Sequence, residues 1–175
     1  MLKLYMLKKI NILIFSILFC NSAIAKEPLL AILNDITSNE VQKFGVKNYT
    51  FKCKPYGVLT LERLYRKSKA DSICRKNIEK FYKKNPKLRY YSEYILEKKQ
   101  TYHLEIKETE CILYAKGEMT LSELLLKEGL AVKQLLFKDE EFDSYFTLLQ
   151  RKARMQKKGL WAEKIFDVCT KNLSK

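Results

Sequence analysis

The side chains able to do chemistry are few and scattered. Cysteines stand at positions 53, 74, 111 and 169, with a fifth, Cys20, close to the N-terminus. No C-x-x-C pair occurs and His103 is the only histidine, which excludes the clustered N and S ligands of a zinc site. Four cysteines behind an export leader instead predict two disulfides in an oxidising compartment. Three pairings are open. The expected one joins Cys53 to Cys74 and Cys111 to Cys169, each loop contributing about 3 kcal/mol in the chain-entropy picture. His103 lies in 101-TYHLEIK-107, where Tyr102, Leu104 and Ile106 alternate with it. It therefore falls on the polar face of a strand, with no Ser or Cys pattern beside it to build a nucleophilic site.

The leader is read from the first 25 residues. Lys3, Lys8 and Lys9 precede the apolar run INILIFSILFC, and NSAIA closes on Ala23-Ile24-Ala25. This is the pattern of a secretory signal peptide cleaved after Ala25. The apolar run is shorter than the roughly 20 residues that span a bilayer, so no stable membrane insertion is expected after cleavage. Phe19 is bulky where a lipidation signal at Cys20 would need a small residue. A periplasmic or secreted protein follows. Residues 26–45 read as an N-terminal arm, 46–169 as one domain and 170–175 as a tail.

The chain carries 34 Lys and Arg against 20 Asp and Glu, a formal charge of +14 that becomes +11 without the three leader lysines. Such a balance favours anionic partners: nucleic acid, or other polyanions such as anionic lipid or acidic glycan. A lysine-rich composition with no such partner is the plainer alternative.

The elements that must position these groups follow from pattern. LLAILNDI (29–36) reads as a short helix. Tyr49, Phe51 and Cys53 alternate with polar residues, Lys54-Pro55-Tyr56-Gly57 reads as a turn, and VLTLERLY (58–65) as the return strand of a hairpin. Asp71 is placed as the cap of a helix whose apolar stripe is Cys74, Ile78, Phe81 and Tyr82. Strands are expected at 89–96, 101–107 and 110–115. Thr120 and Glu123 have capping-box spacing at the start of a helix, and Gly129 suits the left-handed residue after it. A long helix is expected from about Asp139 to Lys158, with Phe142, Tyr145, Phe146, Leu149 and Ala153 inward and Gly159 as its stop. Strands followed by packed helices give a small mixed barrel.

The C-terminal blocks KGEMTLSELLLKEGLAV and 148-LLQRKARMQKKGLWAE-163 resemble the end of the staphylococcal nuclease, or thermonuclease, family. There a glycine turn precedes a helix ending Gly-Leu-Ala, and a last helix closes on Gly-Leu/Ile-Trp. The resemblance covers residues 111–163. It implies an α+β fold, an OB-type five-stranded β-barrel with about three packed α-helices, of the kind that binds oligonucleotides on one face. Trp161 would then be a packing residue, and the lysines of this helix its wet face.

The resemblance also implies where a site would lie. The family has an Asp-Gly-Asp-Thr motif, then an arginine in an Arg-Leu strand, then Asp-x-Pro-Glu. Without gaps, Arg-Leu falls on Arg63-Leu64, the hairpin glycine on Gly57 and the first threonine on Thr50. The metal aspartates fall on Tyr49 and Ser68, the general-base glutamate on Asp71 and the second arginine on Glu108. The nucleotide-stacking tyrosines become Leu135 and Phe137. Arg63 and Asp71 are thus the catalytic candidates, each with a plainer role: an ion-paired arginine and a helix cap. Phe137 and Lys133 are the nucleic-acid contacts, with loop packing the plainer role for Phe137. The family's Ca²⁺ needs several oxygen ligands, and these are missing, so no cofactor is expected. Calcium would require relocated carboxylates, for which Glu62, Asp71, Glu108 and Glu110 are the candidates, the last two by strand parity. The resemblance implies a secreted protein acting on nucleic acid, with phosphodiester hydrolysis impaired or altered. The alternative is a catalytically inactive periplasmic binding or interaction module on the same fold.

Overall fold

The computed structural model describes residues 28–163 and 165–170. The expected signal peptide and most of the expected C-terminal tail lie outside the described residues. The fold is α+β, built on an antiparallel sheet of six strands rather than a closed five-stranded barrel. Strands β1 (Leu29–Ile36), β2 (Gln42–Val46) and β3 (Tyr49–Cys53) form a meander, and β5 (Thr101–Lys107), β6 (Glu110–Lys116) and β7 (Met119–Thr120) extend it in the order β3-β2-β1-β5-β6-β7. A separate ribbon pairs β4 (Val58–Thr60) with β8 (Ala131–Lys133).

The sheet curls until the chain after β3 meets β6. Cys111 N–H donates to the Lys54 carbonyl at 2.8 Å and Tyr56 N–H to the Cys111 carbonyl at 3.1 Å. A disulfide between Cys53 and Cys111, with Cα atoms 5.6 Å apart, staples the same seam. The second bridge is Cys74–Cys169, with Cα atoms 4.9 Å apart. Two disulfides form as expected, but both pairings differ from the expected Cys53–Cys74 and Cys111–Cys169. Partners are set by which elements pack. Cys53 ends β3 opposite β6, and Cys74 lies on the inner face of a helix that receives the C-terminal helix.

Three segments differ from their expected form. The expected arm with a short helix, 26–45, instead supplies strand β1 and nearly all of β2. Ala31 and Leu33 point into the core while Leu30 and Ile32 face out, and pairing with both β2 and β5 overrides a pattern too short to tell helix from strand. The expected return strand 58–65 stops at Thr60, whose Oγ1 accepts the Arg63 N–H at 3.2 Å. That cap opens helix α1 (Leu61–Lys67), which buries Leu61 and Leu64 one turn apart. The expected strand 89–96 is helical, α3 (Pro86–Arg89) and α4 (Tyr91–Ile95), with Pro86 at the first helical position where its missing N–H costs nothing.

The other helices follow their signals. Helix α2 (Ile73–Lys84) buries Cys74, Ile78, Phe81 and Tyr82 as expected, but its cap is Ser72, accepting from Arg75 N–H at 3.3 Å, while Asp71 stays exposed in the preceding turn. Helix α5 (Leu121–Lys127) carries the full capping box between Thr120 and Glu123. Helix α6 (Asp143–Met155) begins four residues later than expected. Asp139 still serves it, accepting the N–H groups of Glu141 and Phe142 through Oδ1. Phe142, Phe146, Leu149 and Ala153 are buried, and Tyr145 is exposed.

The end of α6 shows what the Gly-Leu-Trp signature does. A Cβ on Gly129 would overlap the Lys158 carbonyl, and a Cβ on Gly159 would overlap the Gly129 carbonyl. Both glycines have positive φ, so the two turns nest backbone to backbone, with Leu160 N–H donating to the Gly129 carbonyl at 2.9 Å. Leu160 is buried in the core. Trp161 packs half-buried on Phe166 of α7 (Ile165–Thr170), with the Arg154 guanidinium 5.7 Å above its ring.

Candidate functional site

Thr60 starts α1 where the β4 ribbon leaves the sheet, and this helix sends side chains to two polar clusters. Toward the β6 edge, Arg63 Nη1 donates to Glu110 Oε1 at 2.7 Å. The same carboxylate accepts from Gln134 Nε2 at 2.8 Å and, through Oε2, from the Gly57 backbone N–H at 2.9 Å. Arg63 is therefore helical and ion-paired, rather than in the strand where the resemblance places the family's arginine. Glu108 sits in the β5–β6 turn with φ 54°, so it does not share the strand parity of Glu110.

Phe137 lies beside this network as a packing residue. Its ring stacks on buried Phe146 at 5.4 Å and meets Tyr56 edge-on at 5.1 Å. It covers Gly57, where a Cβ would collide with the ring. Tyr56 in turn donates its hydroxyl to Asp139 at 2.9 Å, and burial together with that carboxylate pushes its pKa up to about 12. The Lys133 ammonium is held by Asp143 at 2.7 Å and Thr147 at 2.8 Å. It fastens β8 to the first turns of α6. Leu135, the other stacking position, is exposed.

The second cluster carried no sequence signal. Asn39, fully buried in the β1–β2 turn, donates to Glu62 Oε1 at 3.1 Å and to the Leu88 carbonyl at 2.9 Å, and accepts the Ser92 N–H at 2.9 Å. Tyr82 hydroxyl adds a second bond to Glu62 Oε1 at 2.9 Å. Glu40, 1% exposed, is ion-paired with Arg66 one turn further along α1. Glu40 Oε2 and Glu62 Oε2 are both buried and make no hydrogen bond among the described residues. These groups line or underlie a cleft of about 780 Å³ between the β1–β2 turn, α1 and the α2–α3 corner. Only the polar run Ser38-Asn39-Glu40 between two apolar segments marks the place in the sequence, and it reads as an ordinary turn.

Burial, then the like charge of Glu40, raises the Glu62 pKa above its ordinary 4.5. The folded state thus holds this proton more tightly than the unfolded chain. Its contribution to stability is full below about pH 4.5 and is lost as pH rises through the folded value. In Glu62→Gln the amide oxygen keeps the bonds from Asn39 and Tyr82, and no carboxylate has to ionise. The variant should be more stable than wild type by about 1–2 kcal/mol at pH 8, and the difference should shrink toward pH 4. Urea unfolding at both pH values tests this, and an unchanged pH dependence would refute the burial argument.

The calcium arrangement of the resemblance does not fit these residues. Glu110 is saturated by Arg63, Gln134 and Gly57. Glu62 belongs to the other cluster, Asp71 is exposed elsewhere and Glu108 is in a turn. Among the described residues no group of three or more His, Cys, Asp or Glu is placed to hold a metal ion. The four carboxylates proposed as relocated ligands do not come together.

A family described as staphylococcal nuclease homologue matches residues 37–163. The match begins at Thr37, twelve residues before Tyr49, so the β1–β2 turn with Asn39 and Glu40 lies inside it. No curated protein matches the chain.

Proposed function

The chain belongs to the family of staphylococcal nuclease homologues, and on that premise we propose that the protein acts on nucleic acid as a strand-binding protein of an oxidising compartment, with calcium-dependent hydrolysis weakened or lost. The observation that carries the chemical half of this reading is the Arg63–Glu110 pair. A transition-state arginine must offer its N–H groups to a developing phosphorane charge. Here the guanidinium already faces a carboxylate at 2.7 Å, which would repel the phosphate. Glu108 adds negative charge where the resemblance places the second arginine. The basic balance and the family support nucleic acid as the partner. The two disulfides support an extracellular or periplasmic setting, as does the leader pattern. Among the described residues no helix is long and apolar enough to cross a membrane.

A second reading keeps cleavage and moves it. Its supporting observation is Glu62, a carboxylate lining the cleft whose burial raises its pKa, so that it holds a proton more readily than an exposed glutamate. One assay separates the two. The oxidised protein is incubated with single-stranded DNA and RNA in Ca²⁺ or in chelator. The proposal expects intact strands in both. Fragments that persist in chelator and vanish in Glu62→Gln would establish the second reading. Calcium-dependent fragments that vanish in Arg63→Ala would overturn the first.

A further inference from the structure

The largest block of positive charge in this protein lies in one stretch of the chain. Residues 66–90 hold ten Lys and Arg against Asp71 and Glu79, a balance of +8 within a chain of +14. The leader lysines supply +3 and the rest of the chain nets +3, including a shorter basic run at the end of α6, from Arg151 to Lys158. By contrast, the segment 133–143 around Phe137 holds Lys133 and Lys138 against Asp139, Glu140, Glu141 and Asp143, a balance of −2. The face that the resemblance assigns to nucleotide stacking would repel phosphate.

The basic segment folds as the end of α1, all of α2 and α3, and wraps the cleft above Glu62. Lys83, Arg89 and Tyr90 line that cleft and are exposed, Tyr90 at 48%. Among the described residues Lys83, Lys87 and Arg89 make no ion pair, whereas Arg66 is held by Glu40 and Lys84 by Glu163. Unpaired cations on a ridge beside an open aromatic ring are what a single strand needs: phosphates on the cations and a base on the ring.

Resting on the nucleic-acid reading above, we infer that single-stranded nucleic acid binds the α1–α2–α3 lobe, with Lys83 and Arg89 on its phosphates and Tyr90 stacked on a base, and not the Phe137 face. The cleft gives the strand a place to lay one nucleotide at the mouth of the Asn39–Glu62 cluster. Counterion release makes the binding steeply salt-dependent, by about −0.7 in log affinity against log salt for each phosphate contact.

The test is a salt titration of labelled single-stranded DNA and RNA oligonucleotides with the oxidised protein. The lobe variant Lys83→Glu/Arg89→Glu should bind on the order of tenfold or more weakly, with a salt slope shallower by about 1.4. Tyr90→Ala should lose about tenfold with the slope unchanged, since stacking releases no counterions. Lys138→Glu, on the Phe137 loop, should bind as wild type does. Thermal midpoints check that these exposed substitutions leave the fold intact. Weakening by Lys138→Glu with none from the lobe variants would overturn this site and leave the nucleic-acid reading standing. Failure of the wild type to bind either oligonucleotide at low salt would sink both. Binding only to anionic vesicles would do the same, by assigning the lobe to a lipid surface.

Discussion

Replacing Cys74 by Ser is expected to lower the unfolding free energy by about 4–5 kcal/mol, a large fraction of what a domain of this size has. The bridge to Cys169 spans 95 residues. Cutting it frees a long loop in the unfolded chain, and the entropy regained grows with the logarithm of that length. It also releases α7, a helix of six residues that buries only Ile165 and Cys169. A helix this short has no stability of its own in water. Cys53→Ser, which opens a separation of 58 residues, should cost nearly as much because the dependence is logarithmic. Urea denaturation of each variant measures the loss. A non-reducing digest should recover the Cys74 and Cys169 peptides together. A loss below about 1 kcal/mol for Cys74→Ser would contradict the account of how α7 is held.

Phe146→Ala should cost about 3–5 kcal/mol, the range for emptying a fully buried aromatic site. Phe146 is 1% exposed and touches both Phe137 at 5.4 Å and Phe142 at 5.5 Å. Its removal leaves a cavity under the Phe137 ring, and Phe137 in turn covers Gly57, whose N–H helps hold Glu110. The disturbance should therefore run from the core to the Arg63–Glu110 network. Phe137→Ala should also lower stability, by a smaller amount because its ring is only half-buried, and should leave oligonucleotide affinity unchanged. The readouts are the thermal midpoint for both variants and a binding curve for the second. A Phe137→Ala variant of wild-type stability with weakened binding would restore its role as a stacking platform.

How much of this was legible in the sequence depended on whether the signal was local. The capping box at Thr120 and Glu123, the glycines after α5 and α6 and the strand at 101–107 depend on neighbours within a few residues, and the structure bears them out, although Ile106, expected on the inner face of that strand, is exposed. LLAILNDI is a strand although its eight apolar-rich residues fit either period, and only pairing with β2 and β5 decides. Helix α1 is hidden in the sequence because VLTLE has strand composition, while the decisive event is Thr60 Oγ1 accepting the Arg63 N–H. Disulfide partners are a property of packed elements, so spacing alone pointed to the wrong pairs. The site was least legible. Asn39 and Glu40, neighbours in one turn, meet Glu62 from a separate segment with no recognisable spacing, and their burial, not their identity, makes them unusual. The family, by contrast, was readable from the nested Gly129 and Gly159 turns, because backbone contact there admits no side chain.

The central claim is that this nuclease-family fold holds nucleic acid without cutting it by the calcium route. It is tested most directly by one measurement on the oxidised protein: a labelled single strand in Ca²⁺ at low salt, read first for binding and then for length. The account predicts a bound strand of full length, released as salt is raised. A strand shortened only when Ca²⁺ is present, or one that never binds, would contradict it.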